Sequence, residues 1–491
     1  MQIIILLTII CLKKCHCVFW CRSETIFFVK TFHIETITIS LAEYTALQQQ
    51  ILVLKEQNQK LQEQIISLQE QIQLLKNGRN SKTSSTPPSH DIGRSNKKSL
   101  REPTTRKTGG QAGHEGTTLA MYEHPDQVVE YRPNYCKQCG DDLSDSEATL
   151  VLRKQEIELP VIIPIYNEHQ SYACTCKKCG YITTSELPKR LMANIQYSPQ
   201  VSAWVAYLSV RQYMSYERIA EFIKSCLNVP ISQGTIDNML KNLTKKAEFV
   251  YQQIQKRVEN AAVVGGDETG IKINGKKGWL FTFQTPAFTF LAVSMSRGFE
   301  TIDRLFKNGF PVSVYVTDCL AAQLKVAAKS HQICTSHLLR ELNNFIDVFN
   351  CQWSVKMKQL LKSAIELKKQ LHSHDYTSSN EEVMNIQKQL NDLLHTSFEG
   401  KHKKVQAFIK RLNKNHDAIL TFLYQSKVPP DNNGSERSIR TAKVKMKVSN
   451  QFNAFAGAHR FAVLRSVIDT TIKNSQNVLE ALGLLSNLAA E

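Results

Sequence analysis

The chain has 491 residues, 42% of them apolar, and carries 61 Lys and Arg against 44 Asp and Glu, a net charge of +17. That length leaves room for two or three domains with real cores, and the basic excess favours a polyanionic partner, because Lys and Arg that displace counterions from phosphates give sequence-independent affinity. The 13 cysteines exclude a disulfide framework: five fall in two short clusters with metal-type spacing, and the rest are scattered or lie in the first 21 residues, so a reducing cytoplasm fits better.

Residues 3–12 form an apolar run of about ten residues, too short to span a bilayer. No basic residue precedes it and no clear small-residue cleavage site follows, so 1–40 read as a leader or a mis-called start before a true start near Leu41. Leu47, Ile51, Leu54, Asn58, Leu61, Ile65, Leu68, Ile72 and Leu75 then alternate gaps of four and three, the spacing of a coiled coil over 41–77. Ile at a with Leu at d favours a parallel dimer, and Asn58 at an a position sets its register. The g positions Gln50, Gln57, Gln64 and Gln71 are uncharged and do little to choose a partner. The other reading of this stretch is a long amphipathic helix packed on its own protein.

Residues 78–120 are poor in apolar side chains and rich in Ser, Thr, Pro, Gly, Lys and Arg, a basic disordered linker suited to non-specific phosphate contact. The basic stretch follows the heptads and contains Pro87, Pro88 and Pro103, the wrong order for a basic-zipper regulator. Over 121–188, Cys136, Cys139, Cys176 and Cys179 form two Cys-x-x-Cys-Gly turns, the pattern of a structural zinc site, with Cys174 a substitute ligand. The stretch Val161, Ile162, Ile163 predicts a hairpin inserted between the two turns. Region 190–258 reads as helical, with N-caps at Ser215 and Ser232; it is either a DNA-reading helix-turn-helix or a plain helical pair.

From 259 to 457 the pattern changes. AAVVGGDETG predicts a buried strand ending at Asp267, GWLFTF and FTFLAVSM its hairpin partners after the turn Asn274-Gly275, ETIDRLF a helix, and VSVYVTD a strand ending at Asp318. A helical stretch over 353–422 follows, then PPDNNG and a helix that Ser435 caps, with Glu436 in its first turn and Arg440 and Lys443 on the same face as phosphate contacts. Residues 458–491 form a C-terminal helical segment. This order predicts a multidomain α+β protein: coiled coil, four-cysteine zinc module, helical region, and a ribonuclease H-like α/β core with a long helical insertion. Three carboxylates on strand, strand and helix can hold divalent ions over a phosphodiester. Glu268 is turned by strand alternation to the opposite face.

From about residue 41 onward the chain resembles the large transposases of the insertion sequence 66 family. The resemblance rests on the zipper, GRNSKTSSTPPSHD, GGQAGHEG, the cysteine turns, GDETG, VTDCLAA, CTSHLLRE and DNNGSERSIR, in that order. It implies an acid triad of Asp267, Asp318 and Glu436 holding Mg²⁺ or Mn²⁺, and Zn²⁺ on Cys136, Cys139, Cys176 and Cys179. The CTSH motif at 334–337 is family-like and reads as packing near the site. The expected activity is metal-dependent cleavage and strand transfer at the terminal inverted repeats of the protein's own element. Double-stranded DNA, a second copy through the coiled coil, and small accessory transposition proteins are the expected partners, with no membrane. The expected location is the bacterial cytoplasm, on the nucleoid. A nuclease without strand transfer and a non-catalytic DNA-binding regulator are the alternatives.

Overall fold

The structure, a computed structural model, describes residues 41–77, 113, 119–377 and 380–488. The expected leader and most of the linker lie outside these residues. The chain divides into two compact units, one of Met1–Ser95 with Asn343–Gln352 and one of Asn96–Leu342 with Trp353–Glu491. In the first, α1 (Leu41–Asn77) is a 37-residue helix free of Pro and Gly. Its heptad residues Leu47, Ile51, Leu54, Leu61, Ile65 and Leu68 are 45–61% exposed, so a single chain leaves that seam in water.

The second unit begins with the two cysteine turns. A short antiparallel hairpin, β1 (Ala173–Thr175) and β2 (Ile182–Thr184), frames the second turn. The strand expected around Val161–Ile163 does not form; those residues are exposed and unpaired, because no neighbouring strand meets their backbone. Next come α2 (Pro199–Ala206), extended by a π turn over Tyr207–Arg211, then α3 (Tyr216–Leu227) and α4 (Gln233–Glu259). Ser215 and Ser232 cap α3 and α4 by accepting from the amides of Arg218 and Thr235. Ile236, Leu240, Leu243, Ala247, Tyr251, Ile254 and Val258 bury one face of α4 in the core, the arrangement of a packed scaffold helix.

Five strands then make a mixed sheet: β3 (Val263–Ile273), β4 (Lys276–Gln284), β5 (Thr289–Ser294), β6 (Phe310–Thr317) and β7 (Ala328–Ile333), in the order β5-β4-β3-β6-β7. β3, β4 and β5 are antiparallel neighbours; β6 and β7 run parallel to β3. Asn274 and Gly275, at φ of 45° and 73°, supply the left-handed pair a tight β3–β4 turn requires. The helix α5 (Phe299–Leu305) crosses from β5 to β6, and the short α6 (Ala321–Leu324) lies between β6 and β7. β7, with the polar sequence AKSHQI, has no apolar run to announce it.

Beyond β7, α7 (Thr335–Phe349) leads to the insertion: α8 (Gln352–Gln370), α9 (Glu381–Leu394), α10 (Lys403–Lys414) and, after a 3-10 turn, α11 (Thr421–Tyr424). Buried Gln332 on β7 donates to the Ile419 carbonyl and accepts from the Phe422 amide, tying the insertion to the sheet. The chain closes with α12 (Asn433–Ser449), α13 (Phe455–Lys473) and α14 (Val478–Asn487). The boundary expected at 457/458 runs through α13, and residues of 190–258, of the sheet and of α13 share one apolar core. At its centre Phe283, Phe290, Phe306 and Phe310 pack edge to face and tilted, with centroids 4.8–6.4 Å apart; burying each such ring stabilises the fold by about 1.5–3 kcal/mol.

Candidate active site

β3 and β6 pair in parallel only as far as Gly265 and Val316. Asp267 and Asp318 each lie two residues further on, side by side where the two strands part. β6 ends at Thr317, whereas β3 runs on to Ile273 against β4, meeting the Phe452 backbone at its far end. Asp267 is therefore mid-strand, not at a strand end as the sequence suggested: the continuous ladder with β4 carries the backbone past it. Asp267 accepts from the Glu268 amide at 2.8 Å, and Asp318 from the Leu320 amide at 3.0 Å.

Glu436 follows a loop that is held to the sheet at several points. Thr335 donates to the Pro430 carbonyl from its amide (3.0 Å) and hydroxyl (2.9 Å), and the Asn432 amide donates to buried Cys334 Sγ. The CTSH motif thus anchors the loop, and the Asn432 side chain donates to the Gly266 carbonyl at 2.6 Å. Such proximity needs glycine: a Cβ at Gly265 would lie 2.7–2.8 Å from Gln284 Nε2, Ser435 Oγ and Asn432 Oδ1. α12 opens after Asn432, earlier than expected, so Ser435 is a buried first-turn residue bonded to Asn432 Oδ1 and not the cap; Glu436 stays in the first turn. Past its other end, the Phe452 backbone bonds to Lys272 and Asn274, so α12 is bound to β3 at both ends. Arg440 is exposed and Lys443 half-buried on the Glu436 face.

The acids press on one another. Burial raises the Asp267 carboxyl well above its ordinary range, and the charges of Asp318, Glu268 and Glu436 add to the shift. Asp318 is pushed up to about 6, first by burial and then by Glu268, while Arg297 and Arg411 oppose the shift. His337, 3.9 Å from Glu436, is lowered to about 4 by burial and then by Arg340, so its imidazole is neutral at physiological pH.

Several site residues carried no sequence signal. Glu268 alternates with Asp267 along the strand, yet it is not remote from the site. Its buried carboxylate accepts from Arg297 Nε (2.8 Å) and Nη2 (2.6 Å) and from the Gln323 amide, and its charge acts on both aspartates. Arg340 donates to Glu436 at 2.9 Å, and Arg411 to Glu341 at 2.6 Å. Only tertiary structure identifies these pairs; Arg340 and Glu341, inside the family-like CTSHLLRE segment, are the two a motif reading touches.

Among the described residues no group of three or more His, Cys, Asp or Glu is gathered tightly enough to grip an ion. The donor chemistry nonetheless suits the expected metals. Buried carboxylate oxygens suit a hard divalent cation, which would offset the burial and the like-charge repulsion that raise both aspartates. Each cysteine turn is formed, with the Gly140 and Gly180 amides donating to the Cys136 and Cys176 carbonyls and both glycines left-handed, at φ of 79° and 73°. Amides aimed at sulfur, those of Cys139 and Cys179 foremost, lower the Cys136 and Cys176 thiols, favouring the thiolates a zinc ion takes.

The body is mixed α+β, with Asp267 on β3, Asp318 just past the neighbouring strand β6, and Glu436 on the docked helix α12. The chain belongs to the Transposase IS66 family, whose model matches residues 194–460, more than half of its length. Membership gives it a transposase role and, with it, DNA-processing activity. A family of unknown function (DUF6444) matches residues 33–120. No curated protein matches the chain. No helix among the described residues is long and apolar enough to cross a membrane.

Proposed function

We propose that the chain binds the terminal inverted repeats of its own element, cleaves a strand there and joins the freed end to target DNA. The observation that supports this reading is that Asp267 and Asp318 each lie two residues past the last β3–β6 pair, with Asp267 within electrostatic reach of Asp318 and of Glu436 on α12. The sheet order, three antiparallel strands followed by two parallel ones, is that of a ribonuclease H-like core and supports the same reading. Asp267, Asp318 and Glu436 would hold Mg²⁺ or Mn²⁺. Bound there, the metal would polarise the phosphoryl oxygens and make the attacking oxygen a better nucleophile.

The protein's part is to place and hold. Asp267 and Asp318 are fixed by backbone amides, and Arg340 fixes the Glu436 carboxylate. Arg440 and Lys443, on the Glu436 face, meet the phosphates of the bound strand. In the first step water oxygen bonds to phosphorus, the bond to the 3′-oxygen breaks, and that oxygen keeps the electron pair and takes a proton. In the second step this 3′-hydroxyl attacks a target phosphorus and gives up its proton, the bond to the target 3′-oxygen breaks, and that oxygen keeps the electron pair and takes a proton. No covalent protein–DNA intermediate is required. Four cysteines, Cys136, Cys139, Cys176 and Cys179, would hold a structural Zn²⁺; α1 would pair two copies, and small accessory proteins would assist.

The test is strand cleavage and joining on DNA carrying the inverted repeats that flank the gene. Asp267→Asn, Asp318→Asn and Glu436→Gln should each lose about 4 kcal/mol or more of transition-state stabilisation, about a thousandfold in rate, while end binding persists. Full cleavage by any one of them would remove that residue from the triad. Cleavage without joining would leave a nuclease.

A further inference from the structure

Two arginines outside the acid triad pair with carboxylates next in sequence to site residues, Glu268 beside Asp267 and Glu341 beside Arg340, and come from opposite edges of the sheet. Arg297 follows β5, one edge strand, and reaches the central strand β3 to pair with Glu268 at 2.6 Å. Arg411, on α10 of the insertion, pairs at 2.6 Å with Glu341 on α7, the helix that follows β7, the other edge strand. Both guanidinium charges are felt at Asp318.

The two are built alike. Each guanidinium lies over an aromatic ring, Arg297 4.7 Å from the centroid of Trp279 and Arg411 5.0 Å from that of Phe408. Each is fixed by one carboxylate and still exposes a third or more of its side chain, 41% and 36%. Each also has donor capacity to spare. Arg297 spends Nε and Nη2 on Glu268, leaving Nη1. Arg411 bonds to Glu341 through Nη2, leaving Nη1. The aromatic ring and the carboxylate pre-set the planar fork that matches a phosphate.

We infer that Arg297 and Arg411 form a two-sided phosphate clamp, gripping the DNA backbone on either side of the phosphodiester presented to Asp318. Glu268 and Glu341 are positioning residues: they orient the guanidiniums and touch no DNA. This inference rests on the proposed DNA cleavage at the acid site. It adds what that reading lacks, namely how a strand is registered across the sheet edge before any metal binds.

The experiment measures binding of the full chain to a short duplex of arbitrary sequence in EDTA, as a function of salt. Each phosphate that is no longer neutralised lowers the slope of log affinity against log salt by about 0.9. Arg297→Gln and Arg411→Gln should each show that decrease and the double variant twice as much, whereas Arg297→Lys and Arg411→Lys should keep the slope with weaker affinity. Because a lone glutamine leaves Glu268 or Glu341 without its cation, the charge-neutral pairs Glu268→Gln with Arg297→Gln, and Glu341→Gln with Arg411→Gln, are measured beside them. Wild-type slopes in these folded pairs overturn the clamp, and a decrease at only one arginine overturns its two-sidedness. Asp267→Asn should keep the wild-type slope while losing cleavage. If it still cleaves, the acid-site reading fails, a result distinct from failure of the clamp.

Discussion

At the scale of single residues, the site is a set of buried acids raised first by burial and then by the charges of neighbouring acids. Glu268 shows what that entails. Its carboxylate is buried and bonded to Arg297 and Gln323, so its neighbours depend on its charge. Glu268→Gln would leave Arg297 with a weaker acceptor and should cost about 1–3 kcal/mol, discounted from a fully buried pair because Arg297 is partly exposed. Urea unfolding checks this, and an unchanged midpoint would return Glu268 to the tolerant position that strand alternation suggests. Asp318 makes a second case. Its folded pKa, about 6, lies above its ordinary value of 3.8, so the folded state keeps a proton the unfolded state has released. Its contribution to stability is therefore greatest in acid and is lost as pH rises from about 4 to about 6. In EDTA, Asp318→Asn should flatten that part of the Tm profile, and Mg²⁺ should raise the wild-type Tm more above the window than below it. Superimposable wild-type and variant profiles would contradict the assigned crowding.

At the scale of elements, the decisive object is the junction of β3 with the loop before α12. Gly265 lets the loop lie directly on the strand, and the Asn432 side chain bonds into the strand backbone. Gly265→Ala places a methyl group within 2.8 Å of three polar atoms. Overpacking of this kind costs about 1–3 kcal/mol. It should also displace Glu436, so cleavage should fall further than Tm alone explains. If thermal stability drops while cleavage by the folded fraction is untouched, the junction holds the fold together without placing the acid. The chain reads GGDETG on one strand and DNNGSER far downstream, and nothing in either motif says that they touch. The CTSH motif, read from sequence as packing near the site, holds the loop before α12, and Asn432 joins that loop to the strand.

At the scale of the whole molecule, α1 leaves a half-exposed apolar seam. A parallel pair would bury it, and Asn58 at an a position would hold the register. The full chain should therefore be at least a dimer by light scattering, and a fragment of residues 42–78 should be helical and dimeric. Asn58→Ile should raise the fragment's melting temperature and admit trimers. A fragment that stays monomeric at high micromolar concentration would mean the helix packs on its own protein.

What the sequence determined by itself is what short-range chemistry determines. Apolar runs placed β3 to β6, the left-handed Asn274-Gly275 pair placed the hairpin, and Ser215 and Ser232 marked helix starts. The cysteine turns announced themselves by spacing, and the acids were singled out by type and order. Tertiary structure decided the rest, because those outcomes depend on partners distant in the chain. It extended β3 beyond Asp267, since β4 continues the ladder there. It made a strand of the polar AKSHQI, since β6 offers it a parallel edge and Gln332 a docking point. It left Val161–Ile163 unpaired, since no strand lies beside it. It also set Arg297, Arg340 and Arg411 around the acids, because an arginine's role is decided by which carboxylate folding brings within 3 Å, and local sequence carries no trace of that choice.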